Sequence, residues 1–106
     1  MSYRVRYSPR ALDDLDIIWD DVYEASLSAV ISDRYVKGII SEIGSKHDYP
    51  KSGQPLYYGS LFTGYYTVNF KAYKIFYRIN NDCIEVARVL LQKQDYLNIQ
   101  FSNKKL

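Results

Sequence analysis

The chain has 106 residues, a net charge of +2, and a globular balance of 47% hydrophobic and 25% charged side chains. Those values fit one domain over 1–106 and exclude a disordered or low-complexity chain. No run approaches the about 18 apolar residues of a membrane-spanning helix, and MSYRVRYSPR has no apolar core behind its basic residues, so neither a span nor a secretory signal is expected.

Residues 3–7, YRVRY, alternate Tyr3, Val5 and Tyr7 against Arg4 and Arg6, which predicts a strand with one wet face. Ser8 is a natural N-cap and Pro9 suits the first helical position. Leu12, Leu15, Ile18, Trp19, Val22 and Tyr23 then recur at three- and four-residue spacing, predicting an amphipathic helix over 9–25. Asp13 and Asp14 fall near its positive end. Ser26 or Ser28 caps a second helix, whose apolar face is Ile31, Tyr35, Val36, Ile39, Ile40 and Ile43 and which ends near Gly44. So short a link makes the two helices an antiparallel hairpin.

HDYPKSGQP, residues 47–55, reads as a loop. Four strands follow: 56–62, turning at Thr63-Gly64; 65–70, turning at Lys71-Ala72; 73–79, turning at Asn80-Asn81-Asp82; and 83–91. Residues 92–99 form a short helix or an extended tail, and 100–106 are expected to fray. The predicted fold class is α+β, two layers in the order β-αα-ββββ, with the helical hairpin on one face of a twisted, mainly antiparallel sheet.

The charge is uneven. Residues 1–50 carry six basic and nine acidic side chains; residues 51–106 carry eight and three. That suggests two faces with different partners. The one cysteine, Cys83, lies in a strand pattern and fits a reducing cytoplasm. With one Cys and one His (His47), no zinc site is expected, and no cofactor. Phosphate-binding glycine loops, HExxH and the nucleophile elbow are all absent. The carboxylates of DLDIIWDD read as a solvated helix face.

The basic and aromatic residues of the sheet carry more. Lys74, Phe76 and Arg78 share one phase of their strand, and Arg88 falls in line with Ile84, Val86 and Leu90. Lys71, Lys93 and Tyr96 sit near strand ends. Such a surface suits a nucleic-acid backbone, with guanidinium groups on phosphates and rings on bases. Equally, Arg88 is a structural ion-pair residue tied to Asp95 or Glu85. RNA scission would need a base for the 2′-hydroxyl, charge stabilisation at phosphorus and an acid for the leaving oxygen. Arg and Lys supply the second, and a tyrosine of depressed pKa the first. Nothing here supplies a further acid–base group as good as His.

YRVRYSPRALDDLDIIWDDV, the Pro50-Lys51-Ser52-Gly53 turn and YKIFYRINNDCIEVARVLLQKQDY together resemble toxins of the RelE/ParE superfamily from type II toxin–antitoxin modules. The likeness covers nearly all of residues 3–96, and the SP-x-A-x-x-DL opening with its long hairpin is similar to the ParE branch. The resemblance implies a toxin held inactive by a cognate antitoxin. It implies either gyrase poisoning by protein contact, as in ParE-like members, or cleavage of mRNA in the ribosomal A site, as in RelE-like ones. An inactive relative serving as an interaction domain is a third outcome. Arg88 stands at the family's arginine of the "RVL" strand, Arg78 at that of "FYR", and Tyr96 where cleaving members place an aromatic. The central-strand arginine appears here as Tyr65 or Tyr66, and QKQDY stands where many relatives have His-Gly-Arg. The expected binding residues are therefore Lys71, Lys74, Arg78, Arg88 and Tyr66, with Arg88, Tyr96 and Lys93 catalytic if the chain is a ribonuclease. Lys71, Lys74 and Arg78 are expected to face acidic residues of the antitoxin.

Overall fold

A computed structural model describes residues 3–92. The elements run β1 (Arg4–Tyr7), α1 (Pro9–Ser26), α2 (Ala29–Gly44), a single 3-10 turn (Pro50–Ser52), β2 (Gln54–Tyr58), β3 (Leu61–Phe70), β4 (Tyr73–Asn80) and β5 (Cys83–Leu91). The five strands form one sheet in the order β1-β5-β4-β3-β2. β1 runs parallel to β5, and all other neighbours are antiparallel. This is the α+β, β-αα-ββββ layout read from the sequence. Among the described residues no helix is long and apolar enough to cross a membrane.

Both helices start as their caps dictate. The Ser8 hydroxyl accepts from the Ala11 N–H at 3.0 Å, and the Ser28 hydroxyl accepts from Ile31 N–H at 3.2 Å. Ser28, not Ser26, is the second cap. α1 ends on Leu27 in the left-handed region (φ 56°), its N–H donating to the Tyr23 carbonyl. Trp19 Nε1 donates to Asp33 at 2.8 Å and so ties α1 to α2.

The hairpin packs on one face of the sheet. Ala11, Leu15 and Ile18 of α1 and Ile39 and Ile43 of α2 meet Ile75, Tyr77, Ile84, Val86 and Val89 in a single core. Gly38 lets α2 approach the Phe70 ring, where any Cβ would sit well inside van der Waals contact. The Tyr77 hydroxyl donates to the Pro50 carbonyl at 2.6 Å and accepts from Gly53 N–H at 3.1 Å, so the Pro-x-x-Gly turn is pinned from below the sheet.

Two sequence expectations change. The first hairpin turns at Gly59-Ser60, not at Thr63-Gly64; Gly59 takes φ +63°, and Gly64 is absorbed into a ten-residue β3. The phase of Arg88 also differs. Phe76 pairs with Arg88 and Tyr77 with Val86, so Ala87 is an extra residue in β5. This β-bulge reverses the alternation. Ile84, Val86 and Val89 face the helices, while Arg88 joins Phe76 and Leu90 on the opposite face.

Candidate functional site

The face away from the helices carries the cationic residues. Register places Arg4 and Arg6 of β1, Glu85 and Arg88 of β5, Lys74 and Arg78 of β4, and Tyr65 of β3 on that side. Where β1 gives way to α1 they surround a cleft of about 580 Å³ lined by Arg6, Tyr7, Ser8, Pro9, Tyr65, Arg78, Glu85, Val86, Ala87 and Arg88. That size lies within the range of small-molecule sites.

The cleft exists because β1 is shorter than β5. Their ladder runs only from Arg4↔Cys83 to Tyr7↔Val86, and beyond it β5 has a bare edge. The start of α1 satisfies that edge. Ser8 N–H donates to the Val86 carbonyl at 2.9 Å and Ser8 Oγ to the Ala87 carbonyl at 2.9 Å. Asp14, one turn further along, accepts from Val89 N–H at 2.9 Å. The same carboxylate grips Arg88, through Nε at 2.8 Å and a terminal nitrogen at 3.1 Å. The partner of Arg88 is thus Asp14, and the expected pairing with Glu85 is replaced; Asp95 lies outside the described residues. The hydrogen bond to Asp14 raises the Arg88 pKa further above its ordinary value. With its side chain 35% exposed, Arg88 is held but not sealed in.

Glu85 takes the other two guanidinium groups. Arg6 and Arg78 both bond it, Arg78 Nε at 2.9 Å. Those bonds, that of Arg6 foremost, hold the Glu85 carboxyl below the usual carboxylate range. Arg6 is pushed up by the same contact. Tyr7 crosses under the cleft with its hydroxyl buried and without a hydrogen-bond partner among the described residues; burial pushes its pKa up to about 12.

Of the sequence-predicted residues it describes, the structure gathers Arg78 and Arg88 and sets Lys71, Lys74 and Tyr66 apart. Lys74 shares their face but lines a separate shallow depression with Lys46, Ser52, Gly53, Gln54 and Asn69. Lys71 sits in the β3–β4 turn, with its ammonium 5.6 Å from the Phe70 ring centroid. Tyr66 lies on the helix side, stacked on Tyr77 at 5.7 Å, so Tyr65 and not Tyr66 lines the cleft. Lys93 and Tyr96 lie outside the described residues. Sequence reasoning missed Arg6 and Asp14 as site residues, and offered Glu85 only as a partner for Arg88 and not for Arg6 and Arg78. Arg6 was legible as the wet-face partner of Arg4; Asp14 was not, because its partner stands 74 residues away.

Among the described residues no three His, Cys, Asp or Glu side chains gather to hold a metal ion. Cys83 is buried. His47 is at the far end of β1, where its carbonyl accepts from Tyr3 N–H at 2.8 Å.

The sequence profile of the "ParE toxin of type II toxin-antitoxin system, parDE" family matches residues 5–96. No curated protein matches the chain significantly. Several solved structures share its fold. A chromosomal ParDE system from P. aeruginosa superposes with a TM-score of 0.69 at 17% identity, covering 85% of this chain and 96% of that one. The RelBE2 toxin–antitoxin complex of Mycobacterium tuberculosis gives 0.58 at 22% identity, over 86% and 92%. A doubly substituted E. coli RelE toxin in the free state gives 0.58 at 14% identity, over 100% and 99%.

Proposed function

Because this chain belongs to the ParE toxin family of type II toxin–antitoxin systems, we propose that it arrests growth by binding DNA gyrase and not by cutting RNA. One observation carries the preference: among the described residues no histidine lines the cleft, and its carboxylate, Glu85, is held between two arginines. Of its two tyrosines, Tyr7 is buried and pushed up to about 12; Glu85 is held below the usual carboxylate range, and the remaining charges are guanidinium groups. His47 is at the other end of β1. Such a surface can grip an anionic or polar partner, and it is poorly equipped to move a proton. Purified toxin is expected to abolish supercoiling by gyrase or to accumulate cleaved DNA. Unimpaired supercoiling without cleaved DNA overturns the proposal.

The convergence of Arg78, Arg88 and Tyr65 favours a second reading, a ribosome-dependent endoribonuclease in which Arg88 stabilises the phosphorane with help from Lys93 and Tyr96. Primer extension on translated mRNA decides it. Cuts in the ribosomal A site that vanish in Arg88→Ala and Tyr96→Phe variants would establish that chemistry. Growth unaffected by expression without an antitoxin would instead mark an inactive relative.

The partner in either case is a cognate antitoxin in the cytoplasm, with acidic residues set against Lys71, Lys74 and Arg78. Alanine at all three positions is expected to weaken the complex and flatten its salt dependence. An unchanged affinity and salt slope would remove the electrostatic part of this account.

A further inference from the structure

Every arginine of the cleft is already held by a carboxylate of the same chain, but the two carboxylates are built differently. Asp14 also accepts the Val89 N–H and so belongs to the framework of the β5 edge. Glu85 bonds Arg6 and Arg78 on the open face of the sheet. It stands on the middle strand of three, and guanidinium groups from the strands on either side converge on it. Its two oxygens take one arginine each, the arrangement in which the two free oxygens of a phosphodiester are also gripped.

We propose that Glu85 is an internal counter-anion, occupying the Arg6–Arg78 pair in place of a nucleic-acid phosphodiester and so holding down the affinity of the cleft for a nucleic-acid backbone. The surroundings favour a nucleic acid over an acidic peptide. Tyr65 is in register with Arg78 and offers a ring for a base beside the phosphate position. Ser8 and Pro9 bring the positive end of an 18-residue helix to the same cleft. Three guanidinium groups against two carboxylates leave one net positive charge, and neutralising Glu85 doubles it. The inference rests on this cleft as the working surface and is independent of which cellular target meets it.

The test is direct binding of a short labelled oligothymidylate to the purified full-length chain, read by fluorescence anisotropy across a salt series. Glu85→Gln is expected to bind about three- to tenfold more tightly than the wild type, with a steeper salt dependence. The double variant Glu85→Gln/Arg78→Ala restores the original charge and is expected to return to near wild-type affinity, which a merely structural role for Glu85 would not produce. Glu85→Asp, whose shorter carboxylate reaches only one guanidinium, should gain less in the same direction and serves if the glutamine variant does not fold. Equal or weaker binding by the single variants, or a gain that survives in the double variant, overturns the proposal. A gain seen only with a polyglutamate peptide overturns the nucleic-acid assignment. Supercoiling activity is not the readout, so the outcome stands apart from the gyrase result.

Discussion

Asp14 shows how much one side chain can hold in a small fold. Its carboxylate closes the open edge of β5 at Val89 and fixes the direction of Arg88. Truncation leaves a buried N–H and a half-buried guanidinium without their acceptor, and stranded groups of that kind are costly. Asp14→Ala is expected to lose about 2–4 kcal/mol of stability. Asp14→Asn keeps an acceptor for Val89 and should lose roughly half as much. Urea denaturation followed by circular dichroism measures both, and equal losses would mean that the charge, not the backbone hydrogen bond, matters. None of this was visible in DLDIIWDD, where four carboxylates look alike. Burial singles out Asp14, and burial is decided by a strand far along the chain.

The helices were legible almost to the residue because their signals are local. Ser8, Pro9 and the three-four spacing define α1, and the same spacing defines α2 up to Gly44. The sheet was legible in strand number but not in detail. The first turn was misplaced because Gly59 and Gly64 are equally good punctuation, and only pairing of Tyr58 with Leu61 chooses between them. The bulge at Ala87 was hidden for a related reason: alternation is read by parity, and an inserted residue leaves no mark on composition. One helix end departs from the expected chemistry and invites a test. Leu27 adopts φ 56° with 78% of its surface exposed, so it gives little burial in return for a left-handed backbone. Leu27→Gly is expected to stabilise the protein by about 1 kcal/mol, seen as a rise in thermal midpoint. A fall would show that the leucine side chain contributes more than its backbone costs.

At the scale of the whole molecule, the tyrosine under the cleft sets an alkaline limit. The folded-state pKa of Tyr7 is raised to about 12, so the folded form binds the proton more tightly than the unfolded chain does. Its contribution is complete below about pH 10 and is lost as pH rises through about 12. Tyr73 and Tyr77 are shifted in the same direction, also mainly by burial, and add to the slope. Tyr7→Phe removes a hydroxyl with no described partner, so it should leave neutral-pH stability equal or higher and make the alkaline decline shallower. An unchanged alkaline limb in pH-dependent melting would refute that assignment. The strand order has a further consequence for the cell that makes this protein. β5 is the last of the described strands to be synthesised and lies between the first and the fourth, and the cleft joins residues 6–9 to residues 85–88. A nascent chain still short of β5 has helices but no assembled cleft. Translation itself therefore delays the cleft, and a binder that captures the newly completed β5 would meet it as soon as it forms.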